Sequence, residues 1–140
     1  MAQGRREARL KRAGNLWGEV TSLENLLQAA KAAAAGKRNR PDVARFQMEL
    51  ETEVIRLRRE LLEETYRPGA YREFEVHDGK PRLISAAPFR DRVVHHAVTL
   101  VLEPIFERRF SPCSFACRKG LGTHKAVASA RAGMGALHMF

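Results

Sequence analysis

The chain has 140 residues, of which 44% are hydrophobic and 29% are charged, and its formal net charge at pH 7 is +9. This composition excludes a chain that is disordered throughout, and the length is sufficient for one domain with a modest core. The isoelectric point of about 10.4 indicates a polyanionic partner, either nucleic acid or an anionic membrane surface.

The positive charge is concentrated toward the C-terminal end. From residue 80 onward there are ten Lys or Arg residues against three Asp or Glu residues, and no acid follows Glu107. The chain has neither an apolar run of about 18 residues nor the apolar core of a signal peptide, so we expect a cytoplasmic protein without a membrane partner. Cys113 and Cys117 are too few for a zinc site and are expected to be reduced, buried or half-buried thiols.

In chain order, residues 1–13 form a basic N-terminal arm. Apolar spacing predicts a helix over residues 15–35 that ends at Gly36, although Thr21 and Ser22 could instead cap a helix that starts there. The basic loop 36–41 that follows is either a phosphate contact or a solvated turn.

The next predicted helix has Asp42 as its N-cap and ends near Pro68. Its apolar residues recur at intervals of three and four, which indicates an amphipathic stripe. Such a stripe usually packs in a core, and the alternative is a surface that binds a partner helix. The stripe consists of Val43, Phe46, Leu50, Val54, Leu57 and Leu61.

A β-hairpin is predicted after this helix, with strands around Tyr71–Val76 and Leu83–Ile84 and a turn at Asp78-Gly79. Lys80 and Arg82 are two residues apart on the second strand, so their side chains share one face. Two cations on one face could hold a polyphosphate, and the alternative is an ordinary solvated hairpin with basic side chains.

A strongly apolar helix is predicted from Arg90 onward, more buried than the earlier helices, with a kink or restart at Pro104. Residues 110–125 form a loop in which Gly120 and Gly122 precede Thr123. Backbone N–H groups at such a helix start could cradle a phosphate. A further helix begins at residues 123–132, and residues 133–140 have no clear period.

Taken together, these segments resemble the fingers region of bacterial reverse transcriptases, over residues 16–130. The similarity is closest to the diversity-generating retroelement and group II intron types. The matching elements are the K-x-R hairpin (Lys80, Arg82), P-x-R-D-R-V-V-x-x-A (Pro88 to Ala97), L-E-P-I-F-E (Leu102 to Glu107), F-S-x-x-S-F-A-x-R-x-G-x-G-T-H-x-A (Phe110 to Ala126) and the upstream T-Y-R-P-G-x-Y-R-x-F (Thr65 to Phe74).

This resemblance implies an α+β fold, mainly helical with one β-hairpin, that forms the fingers subdomain of a right-hand polymerase over residues 14–132. Lys80 and Arg82 would bind the phosphates of the incoming deoxynucleoside triphosphate (dNTP). The implied contacts to nucleic acid are Arg90, Arg92, Arg118, Lys119, Gly120, Gly122 and His124. Asp91 would be structural, capping its helix and pairing with an arginine.

The complete family enzyme uses Mg²⁺ bound by palm aspartates. The sequence has no Asp-Asp pair, so we expect palm and thumb to be absent, residues 133–140 to be an unmatched end, and the chain alone to be inactive without a cofactor of its own. The implied function is a fragment of an RNA-directed DNA polymerase. Its partners would be template RNA, DNA primer, dNTP and the missing palm or an accessory protein. The alternatives are a catalytically dead nucleic-acid-binding module and a helical protein-interaction domain.

Overall fold

The computed structural model describes residues 13–137, which contain helices and one two-stranded antiparallel sheet. The predicted α+β class is therefore confirmed. The elements are α1 (Trp17–Val20), α2 (Leu23–Ala34), α3 (Pro41–Met48), α4 (Leu50–Leu62), β1 (Arg72–Asp78), β2 (Lys80–Ala86), α5 (Phe89–Glu107) and α6 (Thr123–Leu137). The chain divides into two compact units, with the boundary between Leu102 and Glu103. In the described ranges no helix is both long enough and apolar enough to cross a membrane.

The helix predicted over residues 15–35 is divided at Thr21 and Ser22, as the capping alternative proposed. The Ser22 hydroxyl accepts a hydrogen bond from the Asn25 N–H and starts α2, because a side-chain oxygen at the N-cap satisfies a free N–H of the first turn. Beyond the other end of α2, Gly36 has a φ of +68°, which suits the predicted C-terminal glycine.

The amphipathic stripe of α3 and α4 faces the core, so its interpretation as core packing is confirmed and its interpretation as a partner-binding surface is wrong. Val43, Val54 and Leu57 are fully buried, and Leu61 is nearly so. Two details differ from the prediction. The helix is interrupted at Glu49, and Asp42 lies inside the first turn of α3 while Arg40 occupies the N-cap.

Helix α5 contributes Phe89, Val93 and Ala97 to the same core. The Phe46 and Phe89 rings meet edge to face with their centroids 5.0 Å apart, and the Asn25 side chain donates to the carbonyls of Val20 and Ala97. The expectation that this helix is more buried than the earlier ones is wrong. Its apolar residues after Ala97 are only half-buried or exposed, and Phe106 is 52% exposed.

The second unit, beginning at Glu103, contains the end of α5, a loop and α6. The predicted helix after Thr123 is present. It continues to Leu137, so the prediction of no regular structure from residue 133 is wrong for residues 133–137. Cys113 and Cys117 are both exposed, contrary to the predicted burial. The basic arm lies outside the described residues except for Ala13, and residues 138–140 also lie outside them.

Candidate nucleic-acid interface

The hairpin separates its charges onto two faces. The strands pair in the register Arg72 with Ala86, Phe74 with Ile84 and Val76 with Arg82. Because side chains alternate along each strand, one face carries the cations and the opposite face carries two glutamates. The first face holds Arg72, Phe74, Val76, Asp78, Lys80, Arg82 and Ile84, and the second holds Glu73, Glu75, His77, Pro81, Leu83 and Ser85.

The structure therefore brings Lys80 and Arg82 onto one face, as the spacing predicted. Both strands are exposed along almost their whole length. Among residues 13–137, neither Lys80 nor Arg82 has an ion-pair partner. The tight turn between the strands depends on Gly79, whose φ is +77°, a conformation that glycine adopts without steric cost. Both cations are thus available to an anionic ligand from solvent.

Arg90, by contrast, lies in an ion-pair cluster beside α4. Its Nη2 lies 2.8 Å from Glu60 Oε2, its Nε lies 3.7 Å from Glu53 Oε2, and its guanidinium lies over the Tyr66 ring. Contact with this guanidinium lowers the pKa of the Glu60 carboxyl, and partial burial acts in the opposite direction. These ion pairs join α5 to α4. The contact of Arg90 with nucleic acid stays a prediction.

The lowered pKa of Glu60 predicts a pH dependence of stability. Since the folded-state pKa lies below the ordinary value of 4.5, this contribution is fully present above about pH 4.5 and is lost as the pH falls through the folded-state pKa. We expect E60Q to have a lower urea midpoint than the native chain at pH 7, and we expect this difference to narrow as the pH falls below about 4.5. E63Q, which changes an exposed glutamate immediately after this helix, should leave the pH 7 midpoint unchanged. A gap between native chain and E60Q that widens toward pH 3 would contradict this assignment.

Asp91 has a structural role, but its partners differ from the arginine that the sequence suggested. Asp91 is 3% exposed, and its carboxylate accepts hydrogen bonds from the Tyr66 hydroxyl and, at 2.8 Å, from the Gly69 N–H. A Cβ on Gly69 would lie 2.9 Å from Pro88 Cγ. The segment after α4 therefore packs closely against the start of α5 at a position that favours glycine. Burial and the hydrogen bond to Asp91 raise the pKa of Tyr66 well above its usual range.

Arg92 forms a different ion pair, with its Nη2 3.3 Å from Asp42 Oδ2 and its guanidinium over the Phe89 ring. Its side chain is 20% exposed. The Arg92 Nε–H is buried and has no hydrogen-bond partner in the described structure. The hydrogen-bond donors of the Arg92 guanidinium are therefore only partly paired within the described residues.

Arg118, in the second unit, binds several groups of the loop in which it lies and the end of α5. It binds the Glu107 carboxylate through Nε and Nη2, donates from Nη1 to the Ser114 carbonyl at 2.9 Å, and lies over the Phe110 ring. Its side chain is 15% exposed. Lys119, Gly120 and His124 are exposed. Gly120 and Gly122 have positive φ and precede α6 as predicted. Their contacts with nucleic acid stay predictions.

The carboxylates of the described residues do not fit a Mg²⁺ site. In this part of the chain no group of three or more His, Cys, Asp or Glu side chains could hold a metal ion. Asp42 pairs with Arg92, Asp91 is occupied by Tyr66 and Gly69, and Asp78 lies at the exposed hairpin turn opposite Lys80.

Part of this chain is similar in sequence to known intron maturases. It is 48% identical over 40 residues to nuclear intron maturase 2, mitochondrial, of Arabidopsis thaliana, covering 29% of this chain and 5% of that protein. It is 44% identical over 43 residues to nuclear intron maturase 1, mitochondrial, of the same plant, covering 31% and 6%. Part of the chain is thus similar to intron maturases.

A longer match is to protein YkfC of Escherichia coli (strain K12), which is 31% identical over 116 residues, covering 77% of this chain and 30% of that protein. No family model matches the chain. The chain spans less than a third of the length of these curated relatives. The similarity to maturases supports a link to retroelement proteins, and the particular branch stays a prediction.

Two residues of the basic face were not predicted from the sequence to be binding residues. Arg72 and Phe74 share the face of Lys80 and Arg82, with the Arg72 guanidinium 5.5 Å from the Phe74 ring centroid. An exposed aromatic ring between cations is typical of surfaces on which bases stack and phosphates bind. Counting back two residues at a time from Arg82 across the Asp-Gly turn would have placed both residues on this face.

Proposed function

We propose that this chain contributes part of the fingers region of a reverse-transcriptase-type protein and binds the phosphates of nucleic acid with the basic face of its hairpin. Lys80 and Arg82 are the principal contacts, with Arg72 and Phe74 beside them. The finer role of Lys80 and Arg82 is to hold the triphosphate of an incoming deoxynucleotide while an RNA template lies alongside. No bond-breaking step is assigned to these residues.

The separation of charge on the hairpin is the observation that carries this proposal. Three cations and an aromatic ring lie on one exposed face, where Asp78 at the turn is the single acid that the two strands contribute, and Glu73 and Glu75 lie on the other face. A hairpin whose charges served only solubility would need no such separation. The similarity of part of the chain to intron maturases, and the net charge of +9, support an RNA strand as the polyanion.

The test is the affinity of the purified chain for a fluorescently labelled single-stranded RNA, measured by anisotropy over a salt series. K80Q/R82Q is expected to weaken binding roughly threefold to thirtyfold, because each exposed ion pair contributes roughly 0.3–1 kcal/mol. The slope of log affinity against log salt should become shallower by about 1.4 for two lost phosphate contacts. Titration of the native chain and K80Q/R82Q with a deoxynucleoside triphosphate tests the finer role, for which we expect binding only to the native chain.

R45Q/R59Q is the matched control, since it removes the same charge from exposed positions on α3 and α4. It should change the affinity less than K80Q/R82Q does. Equal losses in the two variants would show that only net charge matters and that the hairpin face has no special role. If the native chain does not bind RNA at low salt, the proposed function is wrong.

A further inference from the structure

A cavity of about 610 Å³ lies at the base of the hairpin, at the end away from Lys80. Arg40 from the basic loop, Arg72 from β1 and Arg92 from α5 all line it, together with Asp42. Three segments that are far apart in the sequence thus place a guanidinium at one cavity. With three positive groups and one negative group, its lining is strongly suited to an anion.

The arginines at this cavity have hydrogen-bond donors that are not paired within the described residues. Asp42 is the single acid in the lining, and its described ion pair is with Arg92 at 3.3 Å. The Arg92 Nε–H is buried without a partner in the described structure, and a buried donor without an acceptor is destabilising unless a ligand or water accepts its hydrogen bond. Arg40 and Arg72 have no ion-pair partner within residues 13–137.

Two helices also begin at this cavity. Pro41, the first residue of α3, and Pro88, which immediately precedes α5, both line it. The first N–H groups of a helix have no partner within the helix, and the helix dipole makes this end favourable to anions. The helix ends therefore add to the attraction that the three guanidinium groups exert.

The lining favours the backbone of a strand over a nucleobase. The other described residues around the cavity are alanine and proline, and no aromatic or carboxamide side chain is present there to stack on a base or read its edge. Phosphodiester groups need only charge and N–H donors, which this cavity supplies. A guanidinium is well matched to two phosphate oxygens at once.

Arg72 connects the cavity with the basic face of the hairpin. It lies on the same face as Arg82, which pairs with Val76 four residues further along β1. At roughly 3.3 Å per residue, Arg72 and Arg82 are about 13 Å apart along the strand.

We propose that Arg40, Arg72 and Arg92 form a backbone-binding site at the base of the hairpin that holds phosphodiester groups of a single nucleic-acid strand. This inference rests on the proposed function, because the same strand continues along the basic face to Arg82. It adds Arg40 to the residues that bind nucleic acid, and it unites Arg40, Arg72 and Arg92 in one site at the cavity.

The test compares R40Q/R72Q with the control R45Q/R59Q in the RNA anisotropy assay over the same salt series. We expect R40Q/R72Q to weaken RNA binding roughly threefold to thirtyfold and to make the salt slope shallower by about 1.4, with a smaller loss in the control. Far-UV circular dichroism and the urea midpoint should match those of the native chain. The single variant R40Q changes an exposed side chain that makes no hydrogen bond in the described structure. It should show about half of the change in slope, and it serves as the test if R40Q/R72Q does not fold.

Three results would overturn this inference, and they separate it from the proposed function. If the native chain binds RNA and R40Q/R72Q binds it equally well, the cavity site is wrong and the hairpin proposal stands. If R40Q/R72Q loses affinity for a nucleoside triphosphate but keeps its affinity for RNA, the cavity binds a free nucleotide and not a strand. If the native chain does not bind RNA at all, both proposals fail.

Discussion

Replacing Leu57 with alanine is expected to lower the free energy of unfolding by about 2–5 kcal/mol, as measured by urea denaturation followed by circular dichroism. Leu57 is fully buried on α4, in the cluster that α2, α3 and α5 complete. The truncation removes apolar contacts and leaves a cavity that the surrounding helices fill only in part. For a domain of this size, such a loss is a large fraction of the total stability.

Ile55 on the same helix provides the control, because its side chain is 59% exposed. Ile55→Ala should change the free energy of unfolding by no more than about 0.5 kcal/mol. Equal effects of the two substitutions would mean that the stripe on α4 is not buried in solution. A loss confined to L57A is the result expected of a stripe that packs in the core.

The second large effect is expected at Asp91. D91A should destabilise the chain by about 1–3 kcal/mol at pH 7, because it leaves the Tyr66 hydroxyl and the Gly69 N–H without their acceptor. It also removes a negative charge from the first turn of α5, where the helix dipole favours an anion. Urea denaturation with far-UV detection gives the change directly.

Tyr66→Phe separates the two hydrogen bonds of Asp91. It removes only the hydroxyl donor and should cost about 0.5–1.5 kcal/mol, less than D91A. The Y66F/D91A double variant should cost less than the sum of the single changes, since the two side chains share one interaction. If D91A were as stable as the native chain, Asp91 would not hold the segment after α4 against the start of α5.

Periodicity predicted most of the secondary structure, because the signals involved are local. The buried positions of α3 and α4 follow directly from the spacing of Val43, Val54 and Leu57. The Asp-Gly turn and the alternation of strand residues predicted the hairpin and the common face of Lys80 and Arg82. The break at Glu49 and the N-cap at Arg40 were not predicted, since boundaries depend on small differences between neighbouring caps.

The predicted burial was wrong in the final third of the chain, for a different reason. The apolar end of α5 predicted a buried helix, but Phe106 is half exposed, and Cys113 and Cys117 are exposed. The hydrophobicity of a side chain shows that its burial lowers the free energy, but it does not show whether another segment of the chain packs over that side chain. That depends on which segments pack against the helix in three dimensions.

The sequence by itself determined the helical core, the position of the hairpin and the excess of positive charge, because composition and period are properties of neighbouring residues. Only the tertiary structure decided which basic side chains remain free to bind an external anion. Arg90 and Arg118 are paired with glutamates of their own chain, whereas Lys80, Arg82, Arg40 and Arg72 have no such pair in the described residues. An ion pair forms where folding brings opposite charges within about 4 Å, and Arg90 and Glu60 are 30 residues apart in the sequence. The cavity between Arg40, Arg72 and Arg92 exists for the same reason, since only the packing of the basic loop, β1 and α5 brings these three groups together.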